Sequence, residues 1–373
     1  MPGPTQISFG DPKAIQKWSG ALFLETQKKS YFDRKFVGTS DNHVIQRLNE
    51  LESGPGDTIQ FDLSVQLKQK PTYGDQRLQG KEEGLKFASD KIVIDQMRHG
   101  VSVGGKMTRK RTAHDLRTVG KDRLSDYWAK FVDEMHFVYL SGSRGINEDF
   151  TEDLTWTGHA TNAIEAPDSG HLLYGGVATS KASLAASDKM SKAVVERAEL
   201  KAKTMRSTDP TKSNMLPVLI KGEQHYVCVM NEFQSYDLRQ EVGAGGWLDI
   251  QKAAAAAEGR DNPIFKGGLG MINSVVLHAH QSGIRFNDYG AGANVMAGRA
   301  LLLGRQAGVI AYGSSGGLRF DWTEETNDHG NEQVVASGVI LGIKKTRFTP
   351  PGGEPSDFGV LSIDTAAKDP NAL

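Results

Sequence analysis

The sequence is short of cysteine, of long apolar runs and of nucleotide-binding motifs. Cys228 is the single cysteine among 373 residues, which excludes an intrachain disulfide framework and a multi-cysteine metal site. No apolar run approaches the ~20 residues of a membrane-spanning helix, and the first residues lack the basic and apolar regions of a secretion signal. No Gly-x-x-x-x-Gly-Lys-Ser/Thr phosphate loop is present. We therefore expect no membrane partner and no cofactor.

The sequence also lacks an excess of charge of either sign. Lys and Arg number 44 against 45 Asp and Glu, for a net charge of −1. This balance argues against a dedicated nucleic-acid-binding protein, because such proteins are usually basic overall. The hydrophobic content of 38% and the charged content of 24% are typical of a folded globular chain, and the length allows two core regions.

Three local patterns resemble sites for chemistry, and each is incomplete. The glycine-rich stretch 290–298 misses the spacing of the dinucleotide fingerprint. His278 and His280 would share one face of a strand, but no third metal ligand stands at a recognisable spacing. The acidic run 321–325 is interpreted as a solvated turn. We predict a structural protein without catalytic, metal-binding or cofactor-binding residues; an enzyme that uses 290–298 to bind a nucleotide is an alternative.

Residues 57–103 have the pattern of a long β-hairpin. Every second residue of 58–67 is apolar, which marks a strand with one buried face. The polar segment 68–84 follows, and the chain returns through 91–95 and 101–103. Most hairpin loops have only about two to five residues, so we predict that the tip is an arm that contacts a neighbouring subunit. The tip residues predicted to make this contact are Lys68, Lys70, Tyr73, Arg77, Lys81, Glu82 and Glu83.

A long amphipathic helix is predicted over 113–141. Large apolar residues recur there at steps of three and four. Thr112 has the capping-box spacing that opens a helix, and Gly142 follows the last periodic residue, as glycine usually does at a helix end. Gly120 weakens the first two turns by about 1 kcal/mol relative to alanine. We expect this helix to be the spine of its domain and to bury Trp128.

Two stretches carry charge of mainly one sign. Residues 98–130 hold nine Lys or Arg against three Asp, and such a face can meet phosphate without reading base sequence. A solvated helix face and salt bridges between subunits are the alternatives. Residues 147–168 hold six acidic residues and no Lys or Arg, which predicts a surface insertion. The residues that we expect to meet phosphate on the basic face are Arg109, Lys110, Arg111, Arg117 and Lys121.

The pattern in the remainder of the sequence predicts a mixed α/β unit followed by two C-terminal strands. The predicted helices cover 181–205 and 246–259. The predicted strands cover 216–221, 225–230, 271–279, 332–343 and 359–363.

The order of these predicted elements along the chain resembles that of the major capsid proteins of tailed bacteriophages, which have the α+β Hong Kong 97-type fold. Within that family it is most similar in character to the branch typified by the coat protein of coliphage N-four. Packing and turn residues carry the resemblance, and their order over about 40–345 is more specific than any one motif. The matching stretches are 55–63, 80–85, 122–129, 140–145, 229–239 and 262–270.

The resemblance implies a domain plan and a set of partners. The plan has an N-terminal arm (1–56), an extended hairpin loop (57–103), a peripheral domain (104–169 and 311–373) and an axial domain (170–310). Such proteins form the hexamers and pentamers of an icosahedral virion shell around double-stranded DNA, assembled in the host cytoplasm. We expect a separate scaffolding protein, no lysine–asparagine cross-link from the hairpin, and a decoration protein as a candidate partner of the acidic insertion. A tail or portal assembly protein is the alternative.

Overall fold

The computed structural model describes residues 22, 25–26, 28–52, 55–64, 69–84, 87–208, 214–241, 264, 268–313, 319–349 and 354–371. The helix predicted over 246–259 and the tip residue Lys68 lie outside these residues. The helices are α1 (Tyr31–Lys35), α2 (Lys106–Arg111), α3 (Leu116–Ser141), α4 (Lys192–Thr208) and α5 (Glu232–Arg239), with single 3-10 turns at Glu50–Glu52, Ser169–His171 and Lys181–Ser183.

The strands fall along the whole described chain and confirm an α+β fold. They are β1 (Val37–Gly38), β2 (Ile45–Leu48), β3 (Thr58–Ser64), β4 (Phe87–Val93), β5 (Asp95–Gly105), β6 (Leu172–Tyr174), β7 (Val218–Ile220), β8 (Glu223–Met230), β9 (Gly270–Ile272), β10 (Val275–Ala279), β11 (Arg285–Tyr289), β12 (Val295–Leu303), β13 (Gly308–Gly313), β14 (Phe320–Asn327), β15 (Glu332–Lys345), β16 (Arg347–Phe348), β17 (Ser356–Asp357) and β18 (Val360–Ala366).

The first sheet is organised around the long strand β15. Antiparallel β5, β13 and β14 all pair with it, β2 lies parallel to β13, and β1 lies parallel to β2. Helix α3 packs across this sheet. Trp128 is 1% exposed and meets Phe320 edge-on, with 5.9 Å between ring centroids, while Tyr127 stacks on His99 at 4.1 Å. The expectation that the helix buries Trp128 is confirmed.

The second sheet has the order β6-β18-β12-β8-β10-β9, with β11 beside β12 and β7 beside β8. Both of its faces are buried, so alternate residues of one strand enter different cores. In β8, Val227 and Val229 join the core that contains α3, whereas Tyr226 and Cys228 join the core under α4. Burial raises the pKa of the Cys228 thiol to about 12.

The strand pairing crosses the predicted domain boundaries. Strand β13 spans the division at 310/311 and belongs to the first sheet. Strand β18, predicted as peripheral, instead runs antiparallel to β12 and parallel to β6 in the second sheet, whose other strands come from 170–310. The chain therefore leaves the range predicted as axial and returns to its sheet near residue 360.

The spine helix starts later than predicted, at Leu116 rather than 113. Residues 106–111 form the separate helix α2, and Thr112 ends that helix instead of opening α3. The Asp115 carboxylate caps α3 by accepting a hydrogen bond from the Arg117 backbone N–H at 3.1 Å. The predicted end is confirmed, because Gly142 adopts a left-handed backbone (φ 68°) and its N–H donates to the Val138 carbonyl at 3.0 Å.

Two other local predictions need correction. The helix predicted over 181–205 is a 3-10 turn at Lys181–Ser183 followed by α4, because the Asp188 carboxylate accepts from the Ala185 N–H and holds the intervening chain in a turn. The acidic run 321–325 is part of strand β14 and not a solvated turn. Among the described residues, no helix has both the length and the apolarity required to cross a bilayer.

Trp128→Ala should lower the free energy of unfolding by about 3–5 kcal/mol, since it removes a buried aromatic ring and leaves a cavity. Val119→Ala, at a position of the same helix that is 42% exposed, is the matched control and should change stability little. Denaturant unfolding of both full-length variants measures the difference. Equal stabilities for the two variants would show that the face of α3 that carries Trp128 does not contribute to the stability of the core.

Candidate assembly surfaces

The base of the hairpin is fixed to the first sheet. Strand β3 pairs antiparallel with β4, and the buried Ile59 and Ile92 pack beside Val309. The side-chain amide of Asn162 holds the return strand from the other side, since it donates to the Val93 carbonyl at 2.7 Å and accepts from the Val93 N–H at 3.0 Å. The Asp90 carboxylate also pairs with the Lys344 ammonium. The tip therefore extends from a rigid base.

The tip, residues 69–84, has little packing of its own. Tyr73 is 70% exposed and Leu78 is 60% exposed. Two of its three acidic residues bond the tip's own backbone: Glu83 accepts from the Gln69 N–H and Glu82 accepts from the Gly80 N–H, both at 2.7 Å. The remaining predicted contact residues that the structure describes are all exposed; they are Lys70, Tyr73, Arg77 and Lys81.

Four residues of the basic stretch form ion pairs within the chain, and two of them, Arg123 and Lys130, pair with Asp126 and Glu134 of the same helix. The Arg117 guanidinium donates to the Glu324 carboxylate, with Nε 2.9 Å from Oε1, and the Trp322 indole donates to the same oxygen at 2.7 Å. The Lys121 ammonium lies 2.9 Å from the Glu25 carboxylate. Their cationic charge is thus partly neutralised by buried or half-buried partners, which the local sequence did not reveal.

The four basic residues of helix α2 form no ion pair with any other residue that the structure describes. Its six residues, Lys-Met-Thr-Arg-Lys-Arg, include four cations and no acid. Arg109 donates to the Gln333 side chain at 2.6 Å and to the Asn331 carbonyl at 3.3 Å, and both partners are uncharged. Lys110 and Arg111 are exposed. The structure therefore concentrates the positive charge on α2 and the residues beside it.

The acidic segment 147–168 is a surface only in part. Phe150 is buried under the Arg144 guanidinium, 4.7 Å from its ring centroid, and Asn162 holds the hairpin base. Leu154 is exposed, and burial together with the neighbouring Asp153 raises the pKa of Glu152. The middle of the segment faces solvent, while its end at Asp168 belongs to a buried network.

The Asp168 carboxylate ties the end of the acidic segment to β17. It lies 2.9 Å from His171 Nδ1, and it accepts from the Ser356 hydroxyl and the Asp357 N–H, also at 2.9 Å. Burial alone would raise its pKa, but the bonds from His171, Asp357 and Ser356 favour the ionised form and hold the pKa below its ordinary value. The Lys345 ammonium in turn lies 2.8 Å from the Asp357 carboxylate.

A buried ion pair joins α3 to the second sheet. Arg299 on β12 makes a bidentate bond to Asp364 on β18, with Nε–Oδ1 and Nη2–Oδ2 distances of 2.7 and 2.8 Å. Arg299 also donates to the Ser141 carbonyl at the end of α3 at 2.8 Å, and the Tyr289 hydroxyl donates to Asp364 at 2.7 Å. Every member is buried, and burial with the adjacent Asp364 raises the pKa of Tyr289.

The patterns that resembled chemical sites have structural explanations. Residues 290–293 turn between the antiparallel strands β11 and β12, which is not the strand–helix setting of a phosphate loop. His278 is fully buried, with Nε2 2.7 Å from the Ile264 carbonyl. The described residues contain no group of three or more His, Cys, Asp or Glu arranged to hold a metal ion.

Sequence reasoning missed Asn162, Arg299 and Asp364. A signal existed for the latter two, because each is a charged residue inside an otherwise apolar strand, Ala-Gly-Arg-Ala-Leu and Leu-Ser-Ile-Asp-Thr. Such a residue requires a buried partner of opposite charge. No local signal marked Asn162, since its partner lies 69 positions away.

Comparisons with known proteins identify the family. The sequence profile of the family described as phage capsid protein matches residues 6–369, so the chain belongs to that family. The chain is 25% identical over 394 residues to the major capsid protein of Pseudomonas phage KPP25, an alignment that covers 98% of this chain and 100% of the relative.

Solved structures give the same result. The capsid of Ralstonia phage GP4 is 60% identical, with a TM-score of 0.87 and complete coverage of both chains. The capsid of cyanophage Pam1, at 20% identity, shares the fold with a TM-score of 0.67 over 91% of this chain and 93% of that one. The protein is a phage major capsid protein of the Hong Kong 97-like fold and a virion component.

Asp168→Asn should remove an acid-sensitive part of the stability. Because the folded-state pKa of Asp168 is depressed, its contribution is present above the unfolded value of about 3.9 and is lost as the pH falls below it. The variant should be less stable at pH 7 and should lose less stability than the wild type between about pH 4 and 2. Urea unfolding across this range tests the prediction. Asp122→Asn, which removes an exposed carboxylate, is the control, and an identical acid profile for both variants would contradict it.

Proposed function

We propose that the chain assembles into the hexamers and pentamers of an icosahedral head that encloses double-stranded DNA, in the branch typified by the coat protein of coliphage N-four. The full-length similarity to the GP4 capsid, at 60% identity, is the observation that carries this proposal. Assembly takes place in the host cytoplasm. Residues 57–103 serve as the extended hairpin loop, α3 as the spine of a peripheral domain, and the second sheet as most of an axial domain.

The hairpin tip is an arm between subunits. Three observations support this role: the base is anchored by Asn162 and Asp90, the tip lacks a core of its own, and the large side chains of Tyr73 and Leu78 are exposed. When exposed apolar side chains become buried against a neighbouring subunit, their burial stabilises the contact between the two subunits. Because Lys70, Arg77 and Lys81 are cations, they favour a partner surface that is acidic.

Replacing 70–82 by two glycines should leave a soluble, folded subunit that forms no closed shells. Gln69 and Glu83 already share a hydrogen bond, so the shortened loop joins two neighbouring points. Asp75→Asn, which keeps the full length, is the control and should form shells. Circular dichroism checks the fold, and negative-stain electron microscopy scores the particles. Closed shells of normal size and heat resistance from the shortened chain would refute the arm.

Helix α2 faces packaged DNA. Its four cations have no acidic neighbour within the helix, whereas Arg117 and Lys121 already pair with Glu324 and Glu25. A shell interior holds a polyanion without reading its sequence, and a moderate local field on a nearly neutral chain suits that task. The DNA-facing set is therefore centred on Arg109, Lys110 and Arg111. Salt bridges between subunits are the second candidate use of this charge.

Lys110→Gln with Arg111→Gln should leave shell assembly intact and make DNA-filled particles less heat-stable. The difference from wild type should shrink as salt rises, because salt screens exposed charges. Lys91→Gln with Lys368→Gln removes the same charge elsewhere and should have no such effect. Melting of full and empty particles at two salt concentrations separates the two candidate uses. If empty shells lose as much stability as full ones, these residues bridge subunits.

Two further partners complete the proposal. A separate scaffolding protein directs the assembly, and a decoration protein binds the exposed middle of the acidic segment 147–168. The exposed Leu154 lies beside the acidic residues Glu152 and Asp153, which favours a partner surface that is basic with an apolar centre.

A further inference from the structure

Strand β7 lies at an edge of the second sheet, and a side chain occupies its outward backbone groups. The strand pairs with β8 on one side. On the other side, the Asn42 side-chain amide donates to the Leu219 carbonyl at 2.8 Å and accepts from the Leu219 N–H at 2.9 Å. Two residues earlier, on the same side of the strand, stands Pro217, which has no N–H to donate. An incoming strand therefore finds no free donor at these two positions.

Strand β6 forms another edge of this sheet, because β18 is its one partner among the described strands. Helix α4 presents two cations, one turn apart, to the open side of β6. Lys201 donates to the Leu172 carbonyl at 2.7 Å, and Arg197 donates to the Tyr174 carbonyl at 2.5 Å and to the Gly176 carbonyl. The three carbonyls belong to alternate residues, so they point to the same side of the strand, away from β18. A strand from outside would find these acceptors already bonded.

Both edges carry exposed apolar side chains, which makes their closure important. Leu219 is 46% exposed, and Val177, which follows β6, is 93% exposed. An open edge with apolar side chains is a template for pairing with another chain, and proteins suppress such pairing with proline, charged side chains or a covering helix. All three devices occur at these two edges. Identical copies raise the hazard, because the same edge on two copies can form a self-complementary pair.

We infer that Asn42, Arg197 and Lys201 are specificity-determining residues of assembly, which keep the second sheet of one copy from pairing edge to edge with that of another. The inference rests on the proposed assembly of many copies into a head. In that setting the competing partner is a second copy of this chain, whose β7 or β6 presents the same backbone groups. Contacts between subunits are thereby confined to other surfaces, such as the hairpin tip.

Asn42→Ala should open the edge of β7. Loss of the two amide bonds exposes the N–H and the carbonyl of Leu219 to the same strand of another copy. A net hydrogen bond changes an equilibrium about fivefold, so the loss of both should favour edge pairing by about 30-fold. Folded full-length subunits should then form irregular aggregates, with the infrared band of intermolecular sheet, at about 30-fold lower protein concentration than wild type. A folded variant that aggregates no more than wild type overturns the inference.

Leu219→Pro, added to Asn42→Ala, separates a closed edge from a merely stabilising contact. Proline removes the outward N–H of Leu219, while Val218 and Ile220 keep the bonds of β7 to β8. The double variant should therefore stay as soluble as wild type, although a proline would not repair a general loss of stability. Asn49→Ala, at an exposed position of the same N-terminal segment, is the control and should behave as wild type. Equal aggregation of the double variant and Asn42→Ala would also refute the closed edge.

The edge of β6 gives an independent test if Asn42→Ala does not fold. Arg197→Ala with Lys201→Ala frees the three outward carbonyls, and circular dichroism checks that the subunit is folded. Sheet-rich aggregates from the folded variant support the inference, and aggregation no greater than that of wild type contradicts it. Negative-stain microscopy of the same samples scores shells separately. Wild-type protein that never forms shells would refute the proposed function, while the comparison of aggregation would still decide the role of the edges.

Discussion

The buried pair between Arg299 and Asp364 is the interaction on which the two cores most directly depend. Its guanidinium reaches Asp364 on β18 and the Ser141 carbonyl at the end of α3, so one side chain joins the second sheet to the helix that covers the first. A charged group in such a place is costly unless every polar atom is bonded, and loss of one partner leaves an uncompensated charge at a cost of about 3–5 kcal/mol. The pair fixes the relative position of the two cores rather than adding much net stability.

The other polar networks act on the same principle at the edges of these cores. Asn162 and Asp90 hold the hairpin base, Asp168 holds β17, and Asp133 holds the arm. Each one ties an extended segment to a packed sheet or helix through hydrogen bonds or an ion pair. An assembly protein needs this arrangement because its projecting segments have little hydrophobic core of their own. The bonds at the base of each segment therefore fix its direction.

The sequence predicted what depends on local periodicity. The alternation in 58–64, the described part of the predicted strand, and the three- and four-residue steps toward Gly142 correspond to β3 and α3, because burial of one face imposes a period on neighbouring residues. The partners of charged groups were not predictable in this way. Arg117 and Glu324 are 207 positions apart. The sequence predicted a solvated turn at Glu324, whereas the fold places its carboxylate beside Arg117 as a buried partner. Only Arg299 and Asp364 left a trace, as charges within apolar strands.

The place of β18 has a consequence for synthesis. This strand lies between β6 and β12, so the second sheet lacks an internal strand until residues 360–366 have left the ribosome. Until then Arg299 has no carboxylate, and the apolar faces of β12 and β6 have no strand between them. Pairing of such distant segments is slow compared with local helix formation. Completion of the second sheet therefore waits for the synthesis of residues 360–366, which delays mutual recognition among copies until this strand has been made.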